Sequence, residues 1–329
     1  MDKPFLSFER QIDKLIYEYK LTVNDRAFAY EVLTSLSYYD LVNGYQSIYR
    51  RGDEYDAGTT IEQLVTTHIF NKNIQGVLMK YSTYAENSFK NILANAIAER
   101  YTEDQNNYLQ ISNYERKRNL SKRIKLKKLT DKLIDLCKSC TDTPTLHYIQ
   151  HKDHIPPWIL FRNVSFSDTT DLFSFLRRSD KEYILSFFKI LDNPMVDYSK
   201  KVELFADALK LVRKFRNKIA HNLDFMTYRK CSLNKSANIL FNDTLTFNDS
   251  SDLVRCDVWG MVLSIVILLN NRYMIHNFLA ELNSFLQIGG SITPIYCKYT
   301  GIPNDYEDRI QRYISLLGVL NESVENKTE

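Results

Sequence analysis

Along most of the chain apolar residues recur three and four positions apart, and strand-like alternation is not prominent. Leu78, Tyr81, Ala85, Phe89 and Leu93 fall on one stripe of a long helical run predicted from about Thr60 to Arg100. Val202, Phe205, Leu209, Val212 and Phe215 do the same for a helix that begins near Ser199. Ser7 is placed as an N-cap for a first helical unit that reaches about Tyr49, and Arg51-Gly52-Asp53 with Ala57-Gly58 mark the break after it. Short helices are expected over residues 172–175 and 183–188, with Pro194 separating them from the helix near Ser199. The Asn- and Ser-rich stretch 233–251 reads as a loop, with a hairpin pairing 239–241 and 244–246. One last helix is expected over residues 251–285, ended by Gly289-Gly290, with a polar, disordered tail from Glu322. No internal repeat is visible.

Nine glycines and seven prolines in 329 residues are few, which strengthens the expectation of an all-α chain. Its length allows one large or two moderate domains. Residues 258–269 form the longest apolar stretch, shorter than the roughly 20 residues of a membrane span, and read as a buried core helix. Five cysteines, an odd number without disulfide-like spacing or a signal-peptide pattern, predict a reducing, cytoplasmic setting.

The formal charge is +3, unevenly placed. Between residues 113 and 129 stand Arg116, Lys117, Arg118, Lys122, Arg123, Lys125, Lys127 and Lys128 against Glu115 alone, so this segment carries +7 and the rest −4. Such a patch neutralises phosphates and predicts RNA contact; alone, it also fits a solvated helix face. Tyr108 and Tyr114 lie close by, and 22 tyrosines suit both a core and stacking on bases.

Residues 216–221 read Arg-Asn-Lys-Ile-Ala-His. A ribonuclease without a metal needs a base with a near-neutral pKa to take a ribose 2′-hydroxyl proton, which His221 supplies. Arg216 supplies a permanent charge and a planar fork that matches a phosphate. Asn217 is four residues from His221 and shares its helical face, with Arg216 one step around, so all three can border one cleft. A surface arginine and a capping histidine also meet this spacing.

The stretch 216–222 resembles the R-N-x-x-x-H signature of HEPN ribonucleases in the form carried by the Abi-like (abortive infection, AbiD/AbiF) family. Three further blocks agree in order: Lys3 to Ile12, the tyrosine-rich Ser37 to Tyr45, and Ile155-Pro156-Pro157-Trp158 through Ser165-Phe166. Glu86 stands where the family carries a helical glutamate. Two positions depart: Arg162 and Ser167 stand where many members have a glutamate and a glycine.

The resemblance implies a HEPN-like helical bundle over residues 59–329, with the basic insertion near 113–129 and an N-terminal helical extension over 1–58. It implies a metal-independent endoribonuclease for single-stranded RNA, with no cofactor, whose composite site joins two Arg/His motifs in a homodimer. Arg216, His221, Asn217 and Glu86 are then the catalytic set, and the basic patch is the contact for a cognate structured noncoding RNA. A non-catalytic RNA-binding module, and a protein–protein regulator docking through its tyrosine-rich block, are the alternatives. Cys137 and Cys140 followed by His147, His151 and His154 have the ligand types for zinc, but the six-residue loop is short and Cys137 continues an apolar face, so half-buried thiols are expected and no metal.

Overall fold

The computed structural model describes residues 5–115, 119–223, 225–242, 244–246 and 255–325. It is an all-α bundle in which the one sheet among these residues is a two-stranded ribbon. In chain order come α1 (Phe8–Tyr17), α2 (Arg26–Ser35), a π-turn over Tyr39–Asn43, α3 (Gln46–Tyr49) and the ribbon strands β1 (Arg50–Arg51) and β2 (Glu54–Tyr55). Then follow α4 (Ile61–Tyr101), α5 (Gln105–Tyr108), α6 (Leu120–Ser139), α7 (Thr145–His151), α8 (Pro157–Asn163), α9 (Phe166–Phe175) and α10 (Arg178–Ser186). The motif helix is α11 (Tyr198–Ala220), and α12 (Ala237–Leu240), α13 (Val258–Leu268), α14 (Arg272–Ile288), α15 (Ile292–Thr300) and α16 (Tyr306–Glu325) complete the fold.

The axis of the fold is α4, 41 residues long and so about 60 Å from end to end. Thr60 and Gln63 form a reciprocal capping box at its start, satisfying two backbone N–H groups that a helix otherwise leaves open. Helices α8, α10, α11, α13 and α14 pack against it. Helix α13 is apolar all round and every one of its residues is buried, which is possible only because α4 and α11 flank it. Phe89 of α4, Phe173 of α9 and Phe205 of α11 meet in one aromatic cluster, with ring centroids 5.2–5.9 Å apart. Ile12, Leu15 and Leu33 near the N-terminus belong to the same hydrophobic core, and a backbone bridge between Thr22 and Thr60 ties the first helices to the start of α4.

The expected helix over 172–175 is part of the longer α9, and that over 183–188 overlaps the end of α10, which stops at Ser186. The C-terminal third departs more from the sequence reading. Residues 251–254 of the expected helix over 251–285 lie outside the described residues, and the rest holds two helices, α13 and α14: Leu269 is extended, and the Asn271 side chain accepts from the Tyr273 and Met274 N–H groups to start the second. Gly289-Gly290 ends α14 but not the fold, since α15 and α16 follow. The polar tail expected from Glu322 overlaps the end of α16, which runs to Glu325, and residues 326–329 lie outside the described residues. The hairpin at 239–241 and 244–246 is absent: Ala237–Leu240 is a helical turn, the Phe241 N–H donates to Ala237 O, and the Thr246 N–H folds back to Phe241 O. These local bonds bury both Phe241 and Leu245, and the buried Trp259 indole donates to Leu245 O.

Candidate functional site

The motif is carried by α11, whose buried side is Phe205, Leu209, Val212 and Phe215, as the periodicity predicts. That face sits on α13 and α4 and turns the arginines at 213 and 216 toward α9 and α4. Arg216 meets Glu86 and Asn222 meets Lys72, so α11 runs antiparallel to α4.

Glu86 is buried, and its two oxygens take different cations: Arg216 at 3.2 Å and Lys90 at 2.7 Å. Lys90 also donates to Val164 O at 2.7 Å, so it is fixed between α4 and the loop before α9. Arg216 makes a long 3.3 Å contact with Asn217 Oδ1, and its Nε is buried without a partner. One turn earlier Arg213 donates to the Ser167 hydroxyl. Ser167 is one of the two positions that depart from the family pattern, and a glycine there would lack the hydroxyl that Arg213 uses.

The helix stops one residue before the histidine. His221 is the C-cap, with φ −98° and ψ 13°, and its backbone N–H donates to Asn217 O and Ile219 O. Its bond to Asn217 O is the ordinary i,i+4 helical one, so His221 closes the last turn one step above Asn217. Asn222 then takes a left-handed conformation, φ 52°, which asparagine tolerates, and the chain turns there. The structure therefore brings Arg216, Asn217 and Glu86 together and leaves His221 exposed at the helix end, with no side-chain hydrogen bond among the described residues. Lys90 and Arg213 are additions to the sequence reading. The i,i+4 spacing of Glu86 and Lys90 was a legible signal for the first; Arg213 carried none.

In the basic segment Arg116, Lys117 and Arg118 lie outside the described residues. Asn119 caps α6, whose buried stripe is Leu126, Leu129 and Leu133. Lys122, Arg123, Lys127 and Lys128 are exposed, whereas Lys125 pairs with Asp171 at 2.7 Å. Leu120 and Ile124 are exposed among these cations. The cysteine–histidine stretch forms no cluster of three metal-ligating side chains among the described residues. Burial pushes the Cys137 thiol up to about 12, and the His147 and His151 rings stack 4.8 Å apart. No helix among the described residues is long and apolar enough to cross a membrane.

Fold and site thus define an all-α protein that presents an Arg-Asn-x-x-x-His helix end beside a buried, doubly paired glutamate. The family model for Abi-like proteins matches residues 31–227, from the tyrosine-rich block through the motif and more than half of the chain. The chain belongs to the Abi-like protein family, which is associated with abortive infection, a form of defence against phage. No curated protein and no solved structure matches it.

Proposed function

We propose that this protein is a cytoplasmic, metal-independent endoribonuclease of phage-defence or toxin–antitoxin type, of the HEPN class, that cuts single-stranded RNA at a composite Arg/His site. The observation that carries the reading is the division of labour at the end of α11. Arg216 is oriented by a buried carboxylate yet about one-third exposed, while His221 stands free in solvent.

Within one copy the two side chains are not engaged with each other, which favours a site completed by a second copy of the chain. In that site His221 takes the ribose 2′-hydroxyl proton, the oxygen attacks the adjacent phosphorus, and the 5′-oxygen leaves with a proton from the partner copy's His221. The products are a 2′,3′-cyclic phosphate and a 5′-hydroxyl. Arg216 offsets charge building on the phosphoryl oxygens. The exposed cations of α6 supply a salt-sensitive surface for a structured noncoding RNA that holds the enzyme in check.

The Arg216–Glu86 ion pair also favours a second reading, a non-catalytic RNA-binding module in which Arg216 braces two helices. One experiment separates them. Purified wild type and His221→Ala are incubated with total bacterial RNA in EDTA, and new ends are mapped by their 2′,3′-cyclic phosphates. Cleavage by wild type alone is expected; equal cleavage by both, or none by wild type stripped of co-purified RNA, overturns the enzyme reading.

A further inference from the structure

A second polar cleft, of about 300 Å³, opens beside the motif. Tyr39 and Asp40 of the π-turn form one wall, His68, Lys72 and Gln75 of α4 another, and Asn222 closes it. Asn222 uses both ends of its amide: its Nδ2 donates to Asp40 and its Oδ1 accepts from Lys72. The residue directly after His221 is thereby pinned to two other elements.

The cleft has donors to spare. A directed chain of hydrogen bonds starts at the buried Tyr296 hydroxyl, which donates to Asn71 Oδ1 at 2.9 Å. The Asn71 amide, whose assigned orientation sets the sense of the chain, donates to the Tyr45 hydroxyl at 3.1 Å. The Tyr45 hydroxyl is left to donate to His68 Nδ1, 3.3 Å away. A ring that accepts at Nδ1 and is neutral carries its proton on Nε2. Burial, and then the nearby Lys72 charge, lower the His68 pKa, so the neutral form is the one held.

His68 is only 7% exposed and lines the cleft, and its Nε2 has no hydrogen-bond partner among the described residues. Lys72 spends two of its three N–H groups on Gln75 Oε1 and Asn222 Oδ1 and keeps one. At the mouth the Tyr39 ring is 70% exposed, an aromatic face with nothing covering it.

We propose that this cleft is a nucleotide subsite, in which His68 Nε2–H and the free Lys72 N–H donate to phosphate oxygens and the base stacks on Tyr39. The volume is that of one small ligand, at the lower end of ordinary binding pockets. Because Asn222 follows His221, the nucleotide is one in an RNA strand passing the motif. That assignment to RNA rests on the ribonuclease reading; the nucleotide chemistry does not.

The test is binding by the full-length protein of a 2′-O-methylated, fluorescently labelled RNA decamer, which cannot be cleaved, and of adenosine and uridine monophosphates, with inorganic phosphate as control. Tyr39→Ala and Lys72→Met are each expected to weaken the decamer about tenfold, and Tyr39→Phe to restore it, with the Tyr39 variants at unchanged melting temperature. The mononucleotides should compete with the decamer, and phosphate alone far less. Unchanged decamer affinity in both variants, with no mononucleotide bound at millimolar concentration, overturns the subsite. Mononucleotide binding lost in the variants while decamer affinity holds assigns the cleft to a free nucleotide and overturns its place in an RNA path. These readouts do not need turnover: a wild type that never cleaves RNA but whose decamer is lost in Tyr39→Ala and regained in Tyr39→Phe would sink the enzyme reading and leave the subsite standing.

Discussion

Replacing Glu86 should harm the fold more than replacing Arg216, although both belong to one ion pair. Glu86 is shared by two cations: its side chain is 9% exposed, that of Lys90 13% and that of Arg216 32%. In Glu86→Ala both cations lose their counter-charge inside the bundle. Breaking a buried pair this way costs about 3–5 kcal/mol, and the partial exposure of Arg216 brings the expected loss to about 2–3 kcal/mol. In Arg216→Ala the carboxylate keeps Lys90 at 2.7 Å, and an unpartnered buried Nε disappears with the side chain. The expected loss is then only about 1 kcal/mol. Urea unfolding of the two variants and of the double variant gives the three values and their coupling. Cleavage of RNA by the same preparations completes the test: Arg216→Ala should be inactive while nearly as stable as wild type. A loss of stability in Arg216→Ala equal to or above that in Glu86→Ala would refute the reasoning, because Arg216 would then be the structural member of the pair.

Asp207, on the motif helix, has its pKa raised to about 6 by burial and then by Glu203. A carboxyl raised in the folded state penalises the fold once ionised, so Asp207→Asn should be more stable than wild type by about 1–2 kcal/mol above pH 6, after discounting for its partial exposure, and equal to it below about pH 4; thermal melts across that range check the window. Phe205→Ala, at the centre of the aromatic cluster, should cost about 3–5 kcal/mol in urea unfolding. Gly301 has φ +72°, and a Cβ there would stand 2.1 Å from the Asp257 carboxylate that caps α13, so Gly301→Ala should cost about 2–3 kcal/mol by the same assay. Reversing Lys122, Arg123, Lys127 and Lys128 to glutamate, while sparing the paired Lys125, should abolish RNA binding at moderate salt with the melting temperature kept; unchanged affinity would remove the patch from the RNA path.

The parts of the fold legible in the sequence are those whose burial is one-sided and whose ends carry chemistry. Helix α4 announces itself through the stripe Leu78, Tyr81, Ala85, Phe89 and Leu93 and through Thr60 at its start; α11 does so through Phe205, Leu209, Val212 and Phe215. Beyond residue 251 the apolar residues do not stay on one side, because α13 is buried all round, and periodicity there cannot tell one bent helix from two. The deciding residue is Asn271, a polar side chain whose capping role depends on where the chain goes next. Phe241 and Leu245 failed as a hairpin for a related reason: short apolar triplets suit a strand or a helical turn equally, and the neighbouring core chooses.

For the candidate site, residue types were legible and connectivity was not. Residue types and spacing at 216, 217 and 221 stand out in the sequence, but nothing there shows that the helix ends at Ala220. The turn that follows is held from far away in sequence, by Lys72, 150 residues off, and Asp40, 182 residues off, at the two ends of the Asn222 amide. The same long-range bonds tie the tyrosine-rich block to the motif, which gives a physical reason for the family match to begin near that block and end just past the motif. Gly44 fits this account: a Cβ there would stand 2.2 Å from the Asp40 carbonyl oxygen, so the turn that presents Asp40 to Asn222 requires a glycine. Three stretches that look independent in sequence are one constellation, in which Glu86 orients Arg216 at one point of α4. Lys72, about 21 Å further along the same helix, sets the backbone that carries His221.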